Sequence, residues 1–218
     1  MNVFLFGVRS PIVVEYEETL RRLGCEIIAG ISVGGPSRML AKDKIVRLSD
    51  LEITGNDAVF YPCAFNPRRR SELAAQAISI GLRPAGALID PSAVVAASTR
   101  LGSMTFVNAG AVIGGASFLG MRVMINRAAN IGHHCFIADD VSIAPGVTMA
   151  GNIKIGAGSI IGVGATILPD VKIGVRSVVA GGSVVRHDIP DDSFVAGNPA
   201  VERAFDISRS SLGNTGQE

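Results

Sequence analysis

The sequence predicts a small parallel α/β domain followed by a parallel β-helix, and three observations carry that prediction. From Ile89 to Val185 every sixth residue is Ile, Leu or Val, with Met149 the one exception. Two places before each of these stands a small or β-branched residue, in a series running from Ala87, Ala93 and Thr99 to Ser183. Ahead of the repeat, residues 1–86 alternate apolar strand-like runs with amphipathic helix-like ones.

The first region reads in order. Val3 to Gly7 (VFLFG) is a buried strand ending in a turn. Val13 to Leu23 follows as a helix, with Val13, Tyr16, Leu20 and Leu23 at three- and four-residue spacing and Gly24 as its C-cap. CEIIAGISV supplies a second strand and DAVFYPCA a third. A second helix runs from Arg69 to Ile80, with Leu73, Ala77 and Ile80 on one face and Gly81 as its stop. The cluster Arg68-Arg69-Arg70 reads as its solvated start. Alternating strands and helices argue a parallel sheet.

The first strand–helix turn of such a domain is a natural phosphate site. Here it reads GVRSP, with one glycine where a dinucleotide fingerprint needs three, so dinucleotide binding is rejected. Arg9 and Ser10 are candidates to hold a substrate phosphate at the helix start, with an ordinary surface turn as the alternative.

A six-residue period fits neither a helix nor an indefinitely alternating strand. It fits a short strand followed by a turn. The aliphatic residue points inward and stacks on its equivalent one coil on. Three hexads close each coil of a triangular prism, with coils stacked about 4.8 Å apart. A flat β-sandwich is the competing architecture, and unbroken hexads argue against it. Glycine often follows the aliphatic residue, as at Gly102, Gly114, Gly132, Gly156 and Gly174. These glycines are expected to supply backbone angles that a Cβ forbids. The repeat domain is assigned to residues 87–205, and the aperiodic residues 206–218 are expected to form a mobile tail.

Composition narrows the function. A net charge of +1 gives no field for gripping nucleic acid or an anionic membrane. Three cysteines without a CxxC pair argue reduced thiols rather than a disulfide or zinc framework. No signal peptide and no apolar run of about 18 residues is found. The expectation is a soluble, cytoplasmic protein.

The chemistry concentrates in NIGHHCFIADDVSIAPGVTMAG, where His133 and His134 stand side by side. His133 falls two places after the inward Ile131, at a prism corner. Two exposed turn residues would be the structural explanation. A metal site needs more ligands, and His187 lies three coils on, about 14 Å along the axis. No metal is expected. A general base needs only one imidazole and a nearby amide for the oxyanion. Gly151, one coil beyond His133 on the same corner, is placed to provide that amide. Cys135 occupies a small-residue position and reads as packing.

These hexads resemble those of the left-handed β-helix acyltransferases. The stretch from Asn130 to Gly174, with AGNPA at Ala196–Ala200, is similar to sugar O- and N-acetyltransferases of the sialic acid and bacillosamine type. Those enzymes pair the helix with a small Rossmann-like domain, so the resemblance covers most of the chain. It implies a left-handed coil, a homotrimer, acetyl-CoA as donor, and a nucleotide-linked sugar as acceptor in surface-polysaccharide or glycoconjugate synthesis. His133 would be the base, with His134 beside it as the second catalytic candidate and Asn126 contacting substrate. Gly151, Ser142, Gly181, Asn198 and Pro199 would contact the cofactor, in a groove between protomers. Lys172, Arg176 and Arg186 would lie near the CoA phosphates or face solvent.

The chain departs from the family at three places. His134 replaces an acidic residue, Ser142 replaces a further histidine of some relatives, and GVRSP replaces a glycine-rich loop. Two other readings stay open: acetylation of a non-sugar acceptor, and a β-helical scaffold without activity.

Overall fold

The computed structural model describes residues 2–51 and 59–204. The expected tail at 206–218 and the first residues of DAVFYPCA lie outside them. Residues up to Pro84 form a five-stranded parallel sheet in the order β3-β2-β1-β4-β5. Its members are β1 (Asn2–Phe6), β2 (Glu26–Ser32), β3 (Ile45–Arg47), β4 (Val59–Pro62) and β5 (Arg83–Pro84). β1 lies at the centre, which explains why Val3, Leu5 and Phe6 are all fully buried.

Two helices cover this sheet. α1 (Val13–Arg22) buries Val13, Tyr16 and Leu20 of the predicted stripe, while Leu23 falls past its end and is exposed. α2 (Pro67–Ser79) buries Leu73, Ala74 and Ala77. It begins where the Asn66 side chain accepts from the Arg69 N–H, with Pro67 in its first turn, where a missing donor costs nothing. Gly24 and Gly81, the two predicted stops, have φ of 64° and 92°. The short edge strands β3 and β5 carry no distinct sequence signal.

From Leu88 onward the chain forms a left-handed parallel β-helix. Each two-residue strand pairs in parallel with the strand eighteen residues later, as in Val112↔Asn130, Phe118↔Phe136 and Met124↔Ser142. The eighteen-residue coil therefore has three faces, and the aliphatic series stacks inside them, from Ile113 through Ile131 and Ile167 to Val185, all buried. Small hydroxyls of the second series tie coils together. The Ser117 hydroxyl donates to Gly132 O at 3.2 Å and accepts from Cys135 N at 3.1 Å.

One expectation is corrected here. The glycines after the aliphatic residues have ordinary backbone angles; coil spacing is what excludes a side chain. A Cβ on Gly102, Gly114 or Gly156 would stand 2.5, 2.8 or 2.6 Å from backbone atoms of the next coil. The left-handed conformation sits two residues further on, at Met104, Ala116, His134, Asn152 and Asp170 among others. Past Val185 the period changes. Its last coil is two residues shorter, so Ile189 pairs with Ile173 and Val195 with Val179. Val201–Glu202 then folds back antiparallel on Phe194–Ala196.

The two parts of the chain are joined through one face of the prism. Its outward residues Leu88, Phe106 and Met124 are buried in a common core with α1 and α2, and the Tyr16 and Phe106 rings pack at 4.3 Å between centroids. Asp90 accepts from Thr19 (2.8 Å) and Arg22 of α1 and from the Ser92 hydroxyl (2.6 Å). Arg70 does not face solvent as its cluster suggested. It is fully buried, and its guanidinium bonds the carbonyls of Ala64, Phe65, Arg122, Asp140 and Val141 and the hydroxyl of Ser142. Arg68 and Arg69 pair with Glu72 and stay at least partly exposed.

Candidate active site

His133 and His134 follow Ile131 at one corner of the prism, and the coil ladder fixes both backbones. His134 N donates to Gly115 O one coil below (2.9 Å), and His133 O accepts from Asn152 N one coil above (2.9 Å). His134 holds a left-handed φ of 56°, a conformation histidine tolerates better than most residues. Both imidazoles are exposed. Their Nδ1 atoms lie 2.9 Å apart, with the rings nearly perpendicular at 88°.

Gly151, in the coil above, sits directly against the His133 ring. A Cβ there would come within 2.6 Å of Cε1, 2.8 Å of Nε2 and 3.0 Å of Nδ1. The imidazole therefore occupies the space a side chain would fill. At one other corner an aspartate of the next coil caps the amide two places after the inward aliphatic at two levels of the stack. Met121 N donates to Asp139 Oδ1 at 2.8 Å, and Val175 N donates to Asp191 Oδ1 at 2.7 Å. Here the next-coil residues are Gly151 above His133 and Pro169 above Gly151, neither with a carboxylate. The N–H groups of His133 and Gly151 have no acceptor among the described residues. A base and two available backbone donors thus share one corner, the components that acyl transfer requires.

Cys135, next in sequence, is not part of this chemistry. It is buried, its thiol contacts Ala150 O at 3.4 Å, and burial pushes its pKa up, which disfavours a thiolate.

A groove of about 610 Å³ lies at a different corner, between the β1–α1 loop and the later coils. It brings together Ser10, Asn126 and Gly181, with Ile160, Val163 and Phe194 as apolar wall. Asn126 is buried, and its Oδ1 accepts from Asn108 Nδ2 (3.1 Å) and Arg127 N (2.8 Å). The sequence reading missed the apolar wall. The signal was present, because Ile160, Val178 and Phe194 are apolar residues at outward strand positions, where a solvated face would carry polar ones.

The remaining candidates fall elsewhere. Arg9 is exposed, its side chain lying against Gly35. The first amides of α1 are already used: Val13, Val14 and Glu15 donate to the carbonyls of Ser10, Pro11 and Ile12. Gly197, Asn198 and Pro199 form an exposed turn at the end of the groove face. Arg176 pairs with Asp192 on another face. Ser142 is fully buried, accepts from Arg70 (2.9 Å) and donates to Phe65 O (2.6 Å), so no surface remains for a cofactor. That expected contact is corrected to a joint between the two parts of the chain. Among the described residues no three His, Cys, Asp or Glu side chains gather as a metal-ligand set, and no helix is long and apolar enough to cross a membrane.

The fold has counterparts among solved structures. The family model for the bacterial transferase hexapeptide (six repeats) matches residues 134–168. No curated protein matches the chain in sequence. PerB from Caulobacter crescentus, solved in complex with CoA and GDP-perosamine, is 27% identical with a TM-score of 0.78, covering 93% of this chain and 97% of its own. The acetyltransferase domain of PglB from Neisseria gonorrhoeae, solved with acetyl coenzyme A, is 28% identical with a TM-score of 0.82, covering 93% and 98%. WeeI from Acinetobacter baumannii, at 22% identity and a TM-score of 0.78, covers 93% and 100% and shares the fold. With the repeat and the two-part architecture in agreement, the chain is an acyltransferase that carries the hexapeptide repeat and is similar to sugar N-acetyltransferases.

Proposed function

We propose that the protein transfers acetyl from acetyl-CoA to an amino or hydroxyl group of a nucleotide-linked sugar, with His133 as general base. The observation that carries this reading is the exposed His133 imidazole lying against Gly151, beside two backbone N–H groups without acceptors. PerB and the PglB domain, solved with CoA and GDP-perosamine and with acetyl coenzyme A, support the choice of co-substrates.

In this mechanism Nε2 of His133 takes the acceptor proton as the acceptor nitrogen or oxygen attacks the thioester carbonyl. The developing oxyanion is met by the amide of Gly151. Collapse breaks the C–S bond, and the proton passes from Nε2 to the departing sulfur to give free CoA. No acyl-enzyme forms.

The groove holding Ser10, Asn126 and Gly181 and the His133 corner are separate in one chain. A homotrimer brings a corner of one copy against a face of the next, which completes the site. The protein works in the cytoplasm, where it draws on both co-substrates. The test is turnover of acetyl-CoA with a panel of nucleotide-linked amino sugars, read by release of free thiol and by the mass gain of one acetyl group. Removing a general base by His133→Ala should cut kcat by at least about a hundredfold. Unchanged turnover in that variant would overturn the mechanism.

A further inference from the structure

We infer that His134 is the positioning residue of the site, its neutral ring accepting a hydrogen bond from His133 and thereby fixing the tautomer that exposes a basic Nε2. The inference rests on His133 as base.

The geometry points to this directly. Two Nδ1 atoms at 2.9 Å share one proton, so one ring donates and the other accepts. Gly151 holds the His133 ring by its face, which leaves the rotation of that ring to be set at its edge. Nδ1 is the edge atom in contact with His134. If His133 donates, its Nε2 carries the lone pair and faces the substrate as a base. If His133 accepts, its Nε2 carries a proton and the ring has no free base. Only the first arrangement serves acyl transfer, so His134 must present Nδ1 as a lone pair and carry its own proton on Nε2.

The proton balance follows. During transfer the acceptor's proton moves to Nε2 of His133 and from there to the CoA sulfur. The Nδ1 proton of His133 stays in place throughout, held against His134, whose charge never changes. A neutral ring at this position can accept only while it remains unprotonated.

The surroundings supply no substitute acceptor. The coil below presents Gly115 and Ala116 at this corner, and the coil above presents Gly151 and Asn152. The nearest charged residue in the column is Asp170, two coils above His134 and about 10 Å along the axis. His134 also meets a backbone constraint: its left-handed φ of 56° suits His, Asn and Asp far better than longer side chains. Asn and Asp place Oδ1 one bond from Cγ, as histidine places Nδ1, so either should restore the acceptor.

The experiment joins a spectroscopic and a kinetic readout. In ¹⁵N-labelled protein, a scalar coupling between the two Nδ1 nuclei, with the proton assigned to His133, reports the bond whether or not the protein turns over. His134→Ala should abolish that coupling and lower kcat about tenfold at unchanged KM. His134→Asn should keep most of kcat. Absence of the coupling, or a proton assigned to His134 Nδ1, overturns the inference. So does a His134→Ala variant with native kcat. Failure of His133 as base shows separately, as retained activity in His133→Ala while the coupling persists in the native protein.

Discussion

The guanidinium of Arg70, on α2, lies 2.9 Å from the hydroxyl of Ser142, on the β-helix, and both side chains are fully buried. The contact spans 72 positions of sequence and joins the two halves of the molecule. Burial lowers the Arg70 pKa to about 10, which still leaves it charged at neutral pH. The charge is dispersed over five carbonyls and one hydroxyl. Arg70→Met strands all of these acceptors, and a loss of about 3–5 kcal/mol is expected in urea unfolding. Ser142→Ala should cost about 1 kcal/mol. It should leave the KM for acetyl-CoA unchanged, since the hydroxyl never reaches the surface.

Gly151→Ala tests the contact against the base. Its methyl group would overlap three atoms of the His133 ring, and an exposed ring yields more readily than a backbone. The expected result is a native melting temperature within a few degrees and a kcat reduced at least about tenfold, as the imidazole swings out of line. Steady-state kinetics beside thermal melts separate the two effects.

Asp90 makes stability pH-dependent. Its burial alone would raise the carboxyl pKa, but bonds from Ser92, Arg22 and Thr19 outweigh it and hold the value down to about 2. A depressed carboxylate stabilises the fold above its unfolded pKa, and that contribution fades as pH falls from about 4 toward 2. The linkage amounts to about 2 kcal/mol at neutral pH. Urea midpoints measured across this range should fall on acidification, and Asp90→Asn should flatten the decline while lowering stability at pH 7.

Two glycines distinguish crowding from backbone angle. A Cβ on Gly156 would meet Val175 N at 2.6 Å and Gly174 C at 2.7 Å. Gly146 has a φ of 67° with nothing within 4 Å. Gly146→Ala should cost about 1–2 kcal/mol for the left-handed conformation. Gly156→Ala should cost more, because two coils must part and their hydrogen bonds must stretch. Equal losses in chemical denaturation would count against this distinction.

The architecture was legible because it is periodic. Each inward Ile, Leu or Val repeats one local instruction, and the helix stops at Gly24 and Gly81 are equally local. Ser142 and Arg70 were misplaced for the opposite reason. Their burial depends on an inter-domain contact that no short window records, so a hydroxyl at an outward position and an arginine cluster both looked solvent-facing. His133 and Gly151 could be paired because their spacing equals one coil. Asn126 could not be related to His133 by spacing, since the two stand on different corners. The shorter last coil broke the six-residue count for a simpler reason: a two-residue deletion after Val185 shifts the count while leaving the stack intact.

The last strand among the described residues closes the stack of coils. A stack of coils with identical spacing has no inherent last member, and its open rim offers unpaired amides and carbonyls to any other rim. Val201–Glu202 closes one edge of that rim by running against the direction of every coil beneath it. A further parallel coil cannot add in register to a reversed strand. A polymer-like core is thereby given a fixed length, and a sequence built from one repeated motif ends as a discrete particle instead of growing into a fibre.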